Sequence, residues 1–185
     1  MLVDPDLVEI TNGARGILRG IDACIEAQCL VSAVTLIYSA VDALSALTRS
    51  LHSPDTTRSE FLNWVERYMN PAEKLGCSAH DLYGARCGIL HTYGADSRLR
   101  RTGRPRAIVY RWANGPAPDP QHRKSIPKDA IVLCVERLRD ELKCAVGLFL
   151  KDAASVRDLE ERVEKHRQDL LCYRPWKAIP IRVAA

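Results

Sequence analysis

Arg86, His91 and Tyr93 stand close together in the stretch Asp81-Leu82-Tyr83-Gly84-Ala85-Arg86-Cys87-Gly88-Ile89-Leu90-His91-Thr92-Tyr93-Gly94. Between them they carry the groups that breaking an RNA strand without a metal would need. Such a reaction takes a base for the 2′-hydroxyl proton, an acid for the departing 5′-oxygen, and a cation to hold charge on the phosphorus centre. Imidazole titrates close to neutrality and can play either proton role. Guanidinium can hold two phosphate oxygens at once. On a helix, with Tyr83 as zero, Arg86 and Tyr93 fall about 60–80° to one side and His91 about 80° to the other, so Arg86 and His91 flank one face. Leu82, Ala85 and Ile89 cluster elsewhere on the helix and offer an apolar anchor. Gly84 and Gly88 would let a neighbouring backbone come close, and Gly94 marks a helix end.

The Arg86, four residues, His91, one residue, Tyr93 pattern resembles the Arg-x4-6-His motif of HEPN domains, in the Arg-x4-His-x-Tyr form of HEPN toxins paired with minimal nucleotidyltransferases. The resemblance is specific over residues 81–93 and extends to the rest of the chain as a helical pattern. It implies a metal-independent RNA endonuclease with Arg86, His91 and Tyr93 as catalytic residues, acting as the toxin of a toxin–antitoxin pair. It further implies a dimer with the motifs lining a shared cleft, and a nucleotidyltransferase antitoxin able to place an adenylyl group on Tyr93. Cys87 departs from the family, which commonly has Asn, Asp or His after the Arg. The rival reading is therefore the same fold with a degenerate site that binds RNA, a nucleotide or a protein partner, or a helical dimerisation scaffold.

Other residues extend the site. Tyr38 and Asp42, four apart, share a face of an apolar helix, where a carboxylate is costly without a partner. Asp42 either bonds a nearby helix end or Ser, or orients Arg86 or His91 from behind; Tyr38, Tyr83 and Cys87 are placed as its supporting neighbours. Arg98, Arg100, Arg101, Arg104 and Arg106 crowd the segment after the motif. They form either a solvated basic loop or a surface for an RNA backbone. Tyr110 and Trp112 could stack on unpaired bases or pack in the core, as could Tyr173 and Trp176.

These residues need a helical frame. Asp4-Pro5 suits a helix start, and Leu7, Ile10, Ala14, Ile17, Leu18, Ile21 and Ile25 recur at helical spacing, giving one amphipathic helix loosened at Asn12-Gly13. Residues 29–48 are nearly uncharged, yet Asp42, Tyr38 and several Ser and Thr favour a helix buried on several sides over a membrane span. After a turn at Ser53-Pro54-Asp55, Thr57 or Ser59 caps a helix through Tyr68, which Asn70-Pro71 ends. The motif helix follows. Residues 94–127 are rich in Gly, Pro and Arg and read as a loop with a short strand near 108–112. The tail at Ile179, Ile181 and Val183 has the same strand period, so the two could pair as a ribbon. Residues 129–150 and 155–171 are helical, the latter with Asp158/Arg162 and Glu161/Lys165 ion pairs. The fold class is all-α, an antiparallel HEPN-like bundle of five to six helices in one domain spanning residues 1–185.

Composition is compatible with this frame. The 185 residues are 46% hydrophobic and only 6% aromatic, with a net charge of +4, enough apolar material for a core and a mild bias towards anionic partners. Seven scattered cysteines without a CxxC pair indicate neither a zinc site nor a disulfide framework. There is no glycine-rich phosphate loop, HExxH or serine elbow, and no metal or cofactor is expected. The N-terminus does not resemble a signal peptide, so a cytoplasmic protein is expected. Within one chain a second proton-transfer group is missing, because His80, eleven residues before His91, lies about 16 Å away along a helix. A twofold homodimer would supply a second His91 and a second Arg86.

Overall fold

The computed structural model describes residues 4–92, 105–113, 115 and 126–170, with the backbone alone at 91, 92 and 169. The chain opens with α1 (Pro5–Asn12), whose first turn is capped by the Asp4 carboxylate accepting from the amides of Asp6 and Leu7. The single helix expected across residues 5–25 is two. At Gly16 an added Cβ would sit 2.7–2.9 Å from the carbonyl oxygens of Thr11, Glu9 and Ile10, so the chain folds back on the end of α1 before starting α2 (Ile17–Glu26). Gln28, at φ 57°, turns the chain into α3 (Leu30–Ala46).

Helix α3 is the centre of the bundle. It packs against α2, α4 (Arg58–Trp64), α6 (Ala79–Thr92) and α7 (Val135–Ser155), and Val34, Ile37, Tyr38, Val41 and Leu44 are each at most 2% exposed. Its breadth of burial explains the near absence of charge in its sequence. Among the described residues no helix is long and apolar enough to cross a membrane.

Helix α4 begins with a capping box, Thr57 accepting from Ser59 while the Glu60 carboxylate accepts from the Thr57 amide. It continues through a π turn, Val65–Met69, to Asn70 at φ 44°. Trp64, Tyr68 and Phe149 meet there at ring separations of 5.3–6.0 Å, joining this arm to α7. A short α5 (Pro71–Lys74) leads to the motif helix α6.

The strand expected near residues 108–112 is β1 (Ile108–Arg111), and its partner among the described residues is β2 (Ile131–Cys134), in parallel, Ile108 opposite Ile131 and Arg111 opposite Cys134. Residues 131–134 therefore leave the helix assigned to them, and the fold is mainly helical, as expected, with a small two-stranded sheet that is parallel and formed with β2. The tail proposed as the ribbon partner lies outside the described residues. Leu133 is buried and Val132 exposed, and the chain passes directly from β2 into α7. Finally α8 (Arg157–His166) carries the expected Arg162–Asp158 pair, whereas Glu161 pairs with Arg157 and Lys165 donates to the Leu51 carbonyl instead.

Candidate active site

Helix α6 is fixed at its start by Ser78 and Asp81. The Ser78 amide donates to Asp81 and the Asp81 amide donates to the Ser78 hydroxyl. Asp81 is buried, and it also takes the backbone amide of Arg106 at 2.7 Å and its guanidinium at 2.8 Å. Burial alone would raise its pKa, but the hydrogen bonds from Ser78 and Arg106 outweigh this and hold the carboxyl below its ordinary value. Next to this clasp Pro105 crosses α6 so closely that a Cβ on Gly84 would lie 2.7 Å from the proline ring, the close approach for which a glycine is needed there. The apolar stripe sits as its spacing predicts, with Leu82 1% and Ile89 8% exposed.

On the face towards α3 and α4, Arg86 meets Asp42. Its Nε donates to Oδ1 and Oδ2 at 3.0 and 2.8 Å, and Nη2 reaches Oδ2 at 2.7 Å. Of the partners weighed for Asp42, a helix end, a Ser, Arg86 or His91, the motif arginine is the one seen to answer its charge. Burial would lower the Arg86 pKa, and the Asp42 carboxylate more than offsets this, so the group is held firmly cationic. Asp42 occupies only the Nε side of the guanidinium. Nη1 has the Cys87 sulfur at 4.0 Å, a weak acceptor, and keeps hydrogen-bonding capacity for an incoming oxygen.

Tyr83, one turn before Arg86, lies edge-on to Phe61 at 5.3 Å. Its ring is approached by two guanidinium carbons, Arg58 at 5.1 Å and Arg86 at 5.9 Å. Burial, and then the nearby Cys87, raise its pKa, so its hydroxyl stays protonated. Asp42, Ala43, Ala46, Thr56, Thr57, Arg58, Phe61, Tyr83 and Arg86 together line a pocket of about 430 Å³.

The sequence-predicted residues therefore divide. Arg86, Asp42, Tyr83 and Cys87 come together. Tyr38 does not join them: it is buried, its hydroxyl lies 2.6 Å from that of Tyr110, and burial drives the pKa of both upwards. Tyr110 is partly buried and packs against the core, with its hydroxyl engaged by Tyr38. Arg106 is engaged with Asp81 near the first turn of α6. His91 lies on α6 five residues after Arg86, with its side chain outside the description, and Tyr93, Arg98, Arg100, Arg101 and Arg104 lie outside the described residues. Sequence reasoning missed Arg58, Thr56 and Phe61, which reach the site because α4 packs on α6; nothing local to Arg58 signals that contact. Among the described residues no group of three His, Cys, Asp or Glu could hold a metal ion.

Compared with protein-family models, curated proteins and solved structures, the chain matches none.

Proposed function

We propose that the chain is an HEPN-like RNA endonuclease that works without a metal, with Arg86 and His91 as its catalytic pair. The observation that carries this reading is the Asp42–Arg86 clasp: a carboxylate fixes one side of the guanidinium while the other remains available at a pocket, on the helix that also bears His91. A guanidinium held in advance needs no reorganisation as charge develops on phosphorus. His91 takes the proton of the 2′-hydroxyl as the 2′-oxygen attacks the phosphodiester. The 5′-oxygen then leaves with a proton, giving a 2′,3′-cyclic phosphate and a 5′-hydroxyl. DNA, lacking the 2′-hydroxyl, is not a substrate.

Two chains related by a twofold axis would bring a second His91 to return the proton. Tyr93 positions the substrate and is the residue that an adenylylating partner would modify.

The test is cleavage of single-stranded RNA in EDTA. His91→Ala and Arg86→Ala should each lower the rate by roughly 10²–10⁴-fold with the fold intact, while Tyr93→Phe retains part of it. Equal cleavage by wild type and His91→Ala would end the enzyme reading. A second reading draws on Cys87, whose sulfur stands beside Nη1 where the family offers a polar group: the site then binds RNA without cutting it, and only binding would be seen.

A further inference from the structure

Arg58 is a cation that the reaction as written does not use. Its guanidinium carbon lies 5.1 Å from the Tyr83 ring centroid, and Arg86 lies 5.9 Å from the same point, so the two carbons are no more than about 11 Å apart. The two arginines differ in their partners. Arg86 is answered by both oxygens of Asp42. Arg58 makes no ion pair among the described residues, and its Nε is buried without an acceptor. Glu60, the nearest acid in sequence, is committed to the amide and hydroxyl of Thr57 in the α4 cap.

The pocket wall therefore carries two arginines against one carboxylate, and Thr56 also lines it. An unanswered guanidinium with a buried donor, in a pocket shared with a second guanidinium, calls for an anion with several oxygens.

We propose that Arg58 is a second phosphate-binding residue, holding a phosphodiester of the RNA strand that neighbours the one positioned at Arg86. This rests on the ribonuclease reading for the identity of the strand. Arg58 has no part in proton transfer: it grips substrate and transition state alike, so its loss raises KM more than it lowers kcat.

The experiment uses a short single-stranded RNA, 2′-O-methylated throughout so that it cannot be cut, and follows its binding to the full chain by fluorescence anisotropy across a salt series. Arg58→Gln keeps a polar side chain and removes the charge; Arg58→Lys keeps the charge and removes the planar fork. For Arg58→Gln, affinity should fall about tenfold and the slope of log affinity against log salt should flatten by roughly 0.7. Arg58→Lys should keep the wild-type slope with part of the affinity lost. On cleavable RNA, Arg58→Gln should raise KM with kcat within about threefold of wild type.

Unchanged affinity and slope in folded Arg58→Gln would overturn the subsite while leaving the nuclease standing. If the wild type neither binds nor cuts RNA, the ribonuclease reading fails. Titration with inorganic phosphate then decides the subsite, which survives as an anion site when phosphate binding depends on Arg58 and is lost when it does not.

Discussion

A carboxylate set among Val41, Ala43 and Leu44 must be matched by a donor or lose its charge, and that requirement makes Asp42 the most informative residue of α3. Its partner is Arg86, forty-four positions later, in a side-on bidentate pair whose side chains are 28% and 23% exposed. The need for a donor was legible in the sequence, because only an apolar run makes a lone acid conspicuous. That the donor is Arg86 was one of several alternatives, beside a helix end, a Ser and His91, and that Tyr38 turns away to Tyr110 was not legible, since two residues four apart on a helix need not face the same neighbour. Asp42 touches no reacting atom in the proposed chemistry; it positions the guanidinium. Asp42→Asn should therefore lower kcat for RNA cleavage by on the order of 10²-fold with little change in KM, and Asp42→Glu should recover part of it. A lower melting temperature with kcat unchanged would make the pair a structural clasp and nothing more.

Helix α6 is presented to α3 by its apolar stripe and held in register by the clasp at its first turn. Such helical stretches were legible because their apolar spacing has one dominant solution. The break between α1 and α2 was foreshadowed by Asn12-Gly13 but needed the close carbonyls around Gly16 to become a full turn. β2 was not legible. Ile131 to Cys134 runs without punctuation into α7, and a parallel pair announces itself by no tight turn, since its strands are joined through a long crossover, here residues 112–130.

The role of Asp81 was hidden for a related reason: it reads as an ordinary first-turn acid, and only the return of the chain at Arg106 shows what else it binds. Asp81→Asn should cost about 2 kcal/mol and lower the melting temperature by roughly 4–8 °C. Because the folded carboxyl has its pKa below the ordinary 3.8, its contribution is fully present above that value and is lost as pH falls through the folded pKa. The stability gap between wild type and Asp81→Asn should accordingly be constant from neutral pH down to about 4 and shrink below it. Urea unfolding at a series of pH values reads this directly, and a gap that persists undiminished at pH 2 would deny the carboxylate its part.

The bundle as a whole supplies one His91 and one Arg86 per chain, while the proposed reaction moves two protons. His80, the other histidine of α6, is exposed in the first turn of the helix, eleven residues or about three turns before His91, which puts the two about 16 Å apart along the helix, too far to act together on one phosphodiester. In the proposed mechanism the second proton-transfer group is supplied by a second chain, and a twofold arrangement is the simplest that gives each copy the same surroundings. Light scattering should then return twice the chain mass at micromolar concentration. Specific cleavage activity should fall on dilution in step with the loss of dimer, because each half-site alone lacks an acid. His91→Ala should dimerise as well as wild type, since it removes a proton carrier and not the packing of α6, which separates assembly from catalysis. A chain that is monomeric at every concentration yet cleaves at an undiminished rate would remove the shared cleft from the mechanism and require the second proton-transfer group to be found within one copy.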